Sequence, residues 1–137
     1  MTDGSNKRDL LVLPLKIGTR GSPLALAQAE EVRSRLMDYH GLPKEAFQIM
    51  VISTKGDRVL DRPLSEIGGK GLFTEEIEES LLDGSIDVAV HSMKDMPSEF
   101  PDSLDIMTFL PREDIRDAFV SLKYSSIEEL PMGSKVG

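Results

Sequence analysis

The order of patterns along the chain predicts an α/β fold built on a mainly parallel sheet. Two observations carry this. Apolar runs at Leu15 to Gly18, Gln48 to Ser53 and Asp87 to His91 alternate with two helical patterns, and strand, helix, strand, helix, strand is the signature of parallel strands joined by right-handed crossovers. The last run centres on Val88-Ala89-Val90, apolar enough to be covered on both faces as strands of a parallel sheet are.

Each element has its own signals. In Thr19-Arg20-Gly21-Ser22-Pro23, Ser22 can cap a helix and Pro23 suits its first position. Ala25, Ala29, Val32 and Leu36 then recur on one helical face, with Glu30, Glu31, Arg33 and Arg35 elsewhere. Gly41 and Pro43 stop this helix near His40. After the second strand, the next convincing helix begins only near Leu72 or Phe73. Its expected buried stripe is Phe73, Ile77 and Leu81, with Glu75, Glu76, Glu78 and Glu79 mainly toward water and Gly84 at its end. Farther on, Asp105 to Leu110 and Ala118 to Ser121 read as two more strands separated by the charged stretch Arg112 to Asp117. Ser125 to Leu130 reads as a short helix, and Lys135 to Gly137 as the beginning of a strand.

Composition narrows the functional classes. A chain of 137 residues suits one lobe with a fragment of another. With 39% hydrophobic and 29% charged residues it has an ordinary globular mix. Its net charge of -8 disfavours nucleic acid and anionic membrane surfaces as partners. Lys7 and Arg8 before Leu10 to Leu13 imitate a signal peptide, but Pro14 and Lys16 end the run and no small-residue cleavage site follows, so a cytoplasmic location is expected. No apolar run approaches the roughly 20 residues of a membrane helix. With no cysteine, disulfides, thiolate ligands and thiol catalysis are excluded within these residues.

Ligands of open parallel sheets gather beyond the carboxyl ends of the strands, and three such segments hold chemistry. At the first, Arg20 and Ser22 stand at a helix N-terminus, where free N–H groups and a guanidinium can take an anion; the plain alternative is a Ser-Pro cap beside an exposed arginine. At the second, Thr54 to Gly71 exceeds the roughly 12 to 15 residues beyond which loops tend to be functional or disordered. It carries Lys55, Asp57, Arg58 and Lys70, which fits a mobile lid and equally a solvated loop. At the third, His91-Ser92-Met93-Lys94-Asp95-Met96-Pro97 turns out of a buried strand. There Lys94 could hold a substrate carboxylate while Asp95 donates a proton or stabilises a developing cation. The alternatives are a capping aspartate beside a surface lysine, and a metal pair of His91 and Asp95. Two ligands without a nearby third make a poor metal site, so no metal is expected.

These segments together resemble the porphobilinogen deaminases, also called hydroxymethylbilane synthases, of tetrapyrrole and heme biosynthesis. The resemblance runs through Lys16-Ile-Gly-Thr-Arg-Gly-Ser-Pro-Leu-Ala25, the Lys55-Gly-Asp57 loop, Gly68-Gly-Lys-Gly-Leu-Phe73, Asp87-Val-Ala-Val-His-Ser-Met-Lys-Asp95 and Arg112-Glu-Asp-Ile-Arg-Asp-Ala-Phe119. Five motifs in register over most of the chain are a specific signal.

The resemblance implies a transferase of three domains, the first two like the lobes of a periplasmic-binding-protein fold with the active cleft between them. Residues 1–13 would be a flexible tail, 14–110 an incomplete α/β first domain, and 111–137 the crossover and beginning of a second, similar lobe. The family joins four porphobilinogen molecules head to tail into hydroxymethylbilane, releasing ammonia each time, on a dipyrromethane primer held by a cysteine. By this resemblance Asp95 is the catalytic carboxylate, assisted by Lys94. Arg20, Ser22, Lys94, Asp95, Ser92 and Gln28 contact the primer or growing chain, and Lys55, Asp57, Arg58 and Lys70 belong to the loop over the cleft. Family members continue past the position of Gly137 into a primer-binding arginine segment and a cysteine-bearing third domain. A polypeptide of these residues alone is therefore expected to carry no covalent primer, to be inactive, and to self-associate through exposed edges. The alternative reading is the small-anion-binding lobe of a binding protein or regulator, which would keep the carboxylate grips but have no use for Asp95.

Overall fold

A computed structural model describes residues 13–68 and 71–137. The expected tail therefore falls outside the described residues apart from Leu13, and so does Lys70. The chain divides into two compact units after Asp105.

The first unit runs β1 (Leu15–Thr19), α1 (Pro23–His40), a 3-10 turn (Lys44–Ala46), β2 (Phe47–Val51), α2 (Lys55–Arg58), α3 (Leu64–Ile67), α4 (Glu75–Leu82), β3 (Val88–Ala89) and a 3-10 turn (Met93–Asp95). The three strands form one parallel sheet in the order β2-β1-β3, with Ile17 facing Ile49 on one side and Val88 on the other. Crossovers through α1 and α4 give the strand, helix, strand, helix, strand order expected.

The α1 boundaries follow from their caps. Ser22 is extended and its Oγ accepts from Ala25 N at 3.3 Å, and Pro23 begins the helix. Gly41 ends it in the left-handed region at φ 63°, donating to Met37 O. Ala25 and Ala29 are buried as expected, but so is Arg33, which the spacing was read as placing off that face. It follows Ala29 by four residues and so lies on the same stripe. Its stem is buried while its head pairs with Glu30 at 2.5 Å. Ile17, Ala46 and Phe47 form the core cluster, with Leu15, Val32, Leu36 and Met37 packed against it.

Three expectations for this unit are corrected. The stretch between β2 and the next long helix is not structureless, because it holds the one-turn helices α2 and α3. In α2 a local signal was overlooked: the Thr54 side chain caps the turn, accepting from Asp57 N at 3.4 Å. Second, α4 begins at Glu75, so Phe73 precedes the helix and packs against Gly56 and Arg20. Ile77 is fully buried as expected, and Glu76 leaves the expected water-facing set by accepting from Lys55 N at 2.7 Å and Arg58 Nη2 at 3.0 Å. Third, β3 is shorter than Asp87 to His91, and Val88 is 37% exposed rather than covered. This strand lies at the sheet edge, while α1 packs on β1 and β2. Hydrogen bonds from Asp87 N to Lys16 O at 2.9 Å and Val90 N to Gly18 O at 3.0 Å continue the register on both sides of it.

The second unit, Ile106–Gly137, has a 3-10 turn at Ile127–Glu129 inside the predicted helical segment. The strands expected at Asp105 to Leu110, Ala118 to Ser121 and Lys135 to Gly137 are irregular chain. Phe109 is 70% exposed and Val120 87%, so these apolar residues have neither a paired neighbour nor a covering layer, and a strand needs at least one of them. Local bonds shape the segment instead: Arg116 Nε pairs with Asp114 Oδ1 at 2.9 Å, and Ser121 Oγ accepts from Tyr124 N at 3.1 Å. Among the described residues, no helix is long and apolar enough to cross a membrane.

Candidate functional site

Parallel pairing puts the carboxyl ends of β1, β2 and β3 at one edge of the sheet, and the segments that leave them meet there. Arg20 is the first residue after β1, Asp57 lies in α2 after β2, and Asp95 ends the 3-10 turn after β3.

Arg20 joins all three. Its Nε donates to Asp57 Oδ2 at 3.0 Å and its Nη2 to Asp57 Oδ1 at 2.5 Å, the two-point grip that a planar guanidinium favours. Its Nη1 reaches Asp95 Oδ2 at 3.2 Å. Arg20 Cζ lies over the Phe73 ring, 4.1 Å from its centroid. Thr54, fully buried, donates its hydroxyl to Asp57 Oδ2 at 2.7 Å. The hydrogen bond from Arg20 holds the Asp57 carboxyl below its usual range, with Thr54 adding to the effect, and Asp57 in turn raises Arg20. Both acids are thus tied to a cation that cannot lose its proton.

A cavity of about 210 Å³ opens beside this network, lined by Arg20, Ser22, Gln28, His91, Ser92, Lys94 and Asp95 among others. All six residues expected to contact a primer therefore line this one cavity. Ser92 Oγ donates to Gln28 Oε1 at 3.0 Å, which leaves the Gln28 amide protons available as donors. Lys94 is exposed and, among the described residues, has no ion-pair partner. Arg20 is largely neutralised by two carboxylates, so Lys94 supplies the cavity's uncommitted positive charge. Burial pushes the His91 imidazole down; the nearby Asp95 charge opposes this and Arg20 adds to it, so the ring is neutral at neutral pH.

The loop residues are placed differently. Asp57 is docked on Arg20, and Arg58 is committed to Glu76 at 3.0 Å and to Ser53 O at 2.9 Å. The Lys55 side chain is exposed, and Lys70 lies outside the described residues. Among the described residues no group of His, Asp and Glu could hold a metal.

Sequence reasoning missed the Asp57 link, the Phe73 platform and the place of His91 in the cavity wall. Asp57 and Phe73 both lay in quoted motifs, but pattern alone did not show that the two segments fold back onto Arg20.

The fold and site define an α/β unit on a parallel sheet, with a carboxylate set among cations at the strand ends. Residues 15–137 match the family described as "Porphobilinogen deaminase, dipyromethane cofactor binding domain", and the chain belongs to that family. Over 124 residues it is 66% identical to a "Porphobilinogen deaminase" of Paracoccus denitrificans (strain Pd 1222), a match covering 90% of this chain. The chain spans 40% of the length of that relative.

Proposed function

We propose that this chain is the amino-terminal catalytic lobe of a transferase that condenses porphobilinogen into hydroxymethylbilane with loss of ammonia, in the cytoplasm. The parallel-sheet unit is read as one lobe of a periplasmic-binding-protein-like pair. The observation that carries the proposal is Asp95: a carboxylate hydrogen-bonded to Arg20 on one oxygen and, among the described residues, unbonded on the other, beside the unpaired Lys94.

The substrate bears acetate and propionate arms, and the cavity supplies donors for them. Lys94 and the remaining N–H groups of Arg20 grip carboxylates, and the Gln28 amide adds a neutral donor. When the aminomethyl C–N bond breaks, ammonia leaves and positive charge spreads over the pyrrole. Asp95 stabilises that charge and accepts the pyrrole N–H hydrogen bond, while Arg20 fixes which oxygen faces the ring. The dipyrromethane group fits the same donor set through its own carboxylates, and when bound it supplies the end from which the pyrrole chain grows. These 137 residues contain no cysteine, so they offer no thiol for a thioether to that group. A polypeptide of these residues alone is accordingly inactive. Its 210 Å³ cavity, below the roughly 300 to 1,000 Å³ of complete ligand pockets, forms one wall of the site.

The test is a chimera in which residues 14–137 replace the matching segment of the Paracoccus relative. It should consume porphobilinogen and release ammonia. Asp95→Asn should abolish turnover and spare porphobilinogen binding. Turnover that survives Asp95→Asn would favour the anion-binding-lobe reading.

A further inference from the structure

Gly56, in the middle of α2, is buried and does not have a positive φ, so its backbone conformation does not require glycine. Its surroundings do. A Cβ built there would lie 2.4 Å from Phe73 Cε1, 2.7 Å from Cδ1 and 2.8 Å from Cζ, all closer than real contacts allow. The Gly56 N–H also donates to Leu72 O at 2.8 Å, which fastens the strip carrying Phe73 against the turn carrying Asp57. The centroid of the same ring stands 4.1 Å from Arg20 Cζ.

We propose that Gly56 is a positioning residue for the anion cavity: its missing side chain makes the slot that seats the Phe73 ring against Arg20, and Arg20 in turn orients Asp95. The inference rests on the reading of Arg20 and Asp95 as ligand-contacting groups. A guanidinium clamped by Asp57 still has freedom to tilt about that pair. A flat aromatic wall removes the tilt and fixes the direction of Nη1, the atom that reaches Asp95. A methyl group at position 56 cannot be accommodated by a rotamer change at the far end of a flexible chain, because the ring itself must move. The loop after β2 is thereby coupled to the carboxylate after β3 through packing, without contact between the two segments' own charges.

The experiment follows the Arg20 Nε–Hε resonance by NMR in the chain and in Gly56→Ala, Phe73→Leu and the double variant. The ring should impose a ring-current shift on Arg20 that Phe73→Leu removes and Gly56→Ala changes, and the double variant should match Phe73→Leu alone. Porphobilinogen binding should weaken about tenfold in Gly56→Ala and recover in part in the double variant. An Arg20 resonance unmoved by Gly56→Ala, or moved equally without the ring, overturns the proposal. If Gly56→Ala fails to fold, restored folding in the double variant supports the ring clash, and continued failure overturns it. A wild-type chain that binds no porphobilinogen while the resonances behave as stated would sink the functional reading and leave the positioning role standing.

Discussion

Arg20 and Asp57 are separated by 37 residues yet meet through two hydrogen bonds, Nε to Oδ2 at 3.0 Å and Nη2 to Oδ1 at 2.5 Å, while a third donor of the same guanidinium holds Asp95. The side chains are 17% and 28% exposed, so the pair is partly screened but not a surface bridge. Asp57→Asn should destabilise the chain by about 1 to 2 kcal/mol, less than the loss of a fully buried pair. Asp95→Asn, which removes one bond to the same arginine, should cost less. Urea unfolding of the two variants checks the order.

The same pair has a pH signature. Arg20 depresses the folded-state pKa of Asp57 below its ordinary value near about 4. The unfolded chain therefore takes up that proton first as pH falls. The stabilisation is fully present above the unfolded pKa and is lost as pH falls through the depressed folded value. The stability gap between wild type and Asp57→Asn should be constant from pH 7 down to about 5 and then shrink. A gap that persists unchanged to pH 2 would show that the asparagine acts by a steric route.

His91 titrates in a different window. Burial lowers its folded pKa from the ordinary value of about 6.5, with Arg20 acting in the same direction and Asp95 against it. A neutral ring is favoured in the fold, so its contribution is complete above about 6.5 and declines as pH falls through the folded value. His91→Gln should flatten the stability profile between pH 7 and 5. Denaturation midpoints at half-unit steps give the slope directly.

Much of this architecture was legible because local chemistry and global packing agree. Ser22-Pro23 and Gly41 fixed α1 to within a residue, and the apolar runs located all three strands of the parallel sheet. The failures share a cause. Arg33 was set apart from the apolar face because its charge outweighed its spacing from Ala29, although a long stem can be buried while its head is paired. Phe73 looked like the first buried position of a helix because its spacing to Ile77 is right, and only the slot left by Gly56 revealed another place for the ring. In the second unit, β-branched and aromatic residues signalled strands, but strand formation depends on partners that periodicity does not count. The cavity residues were found as a set, whereas the Asp57 clamp required knowing which side of Arg20 the loop after β2 would pack on.

The α1 C-terminus offers a clean control far from any ligand. Gly41 has φ 63°, and nothing lies within 4 Å of a Cβ built on it, so substitution meets no steric neighbour and only the backbone resists. Gly41→Ala should cost about 1 kcal/mol, and Gly41→Asn less, since asparagine tolerates the left-handed region. Equal losses in the two variants would mean the C-cap is not the controlling feature. Thermal unfolding resolves the difference.

Lys94 and Arg20 make opposite predictions about stability and binding. Arg20 is bonded to two carboxylates, so Arg20→Met strips Asp57 and Asp95 of their guanidinium hydrogen bonds at once and should cost about 2 to 3 kcal/mol as well as ligand affinity. Lys94 is exposed and has no ion-pair partner among the described residues, so Lys94→Met should leave the unfolding midpoint within about 0.5 kcal/mol of wild type. If its charge is the cavity's free grip on a carboxylate, the same substitution should weaken porphobilinogen binding about tenfold and flatten its dependence on salt. Calorimetric titration at two ionic strengths separates these effects. Retained affinity with an unchanged salt slope would assign the carboxylate grip to Arg20 alone, and Arg20 would then have to release part of its hold on Asp95 when ligand arrives.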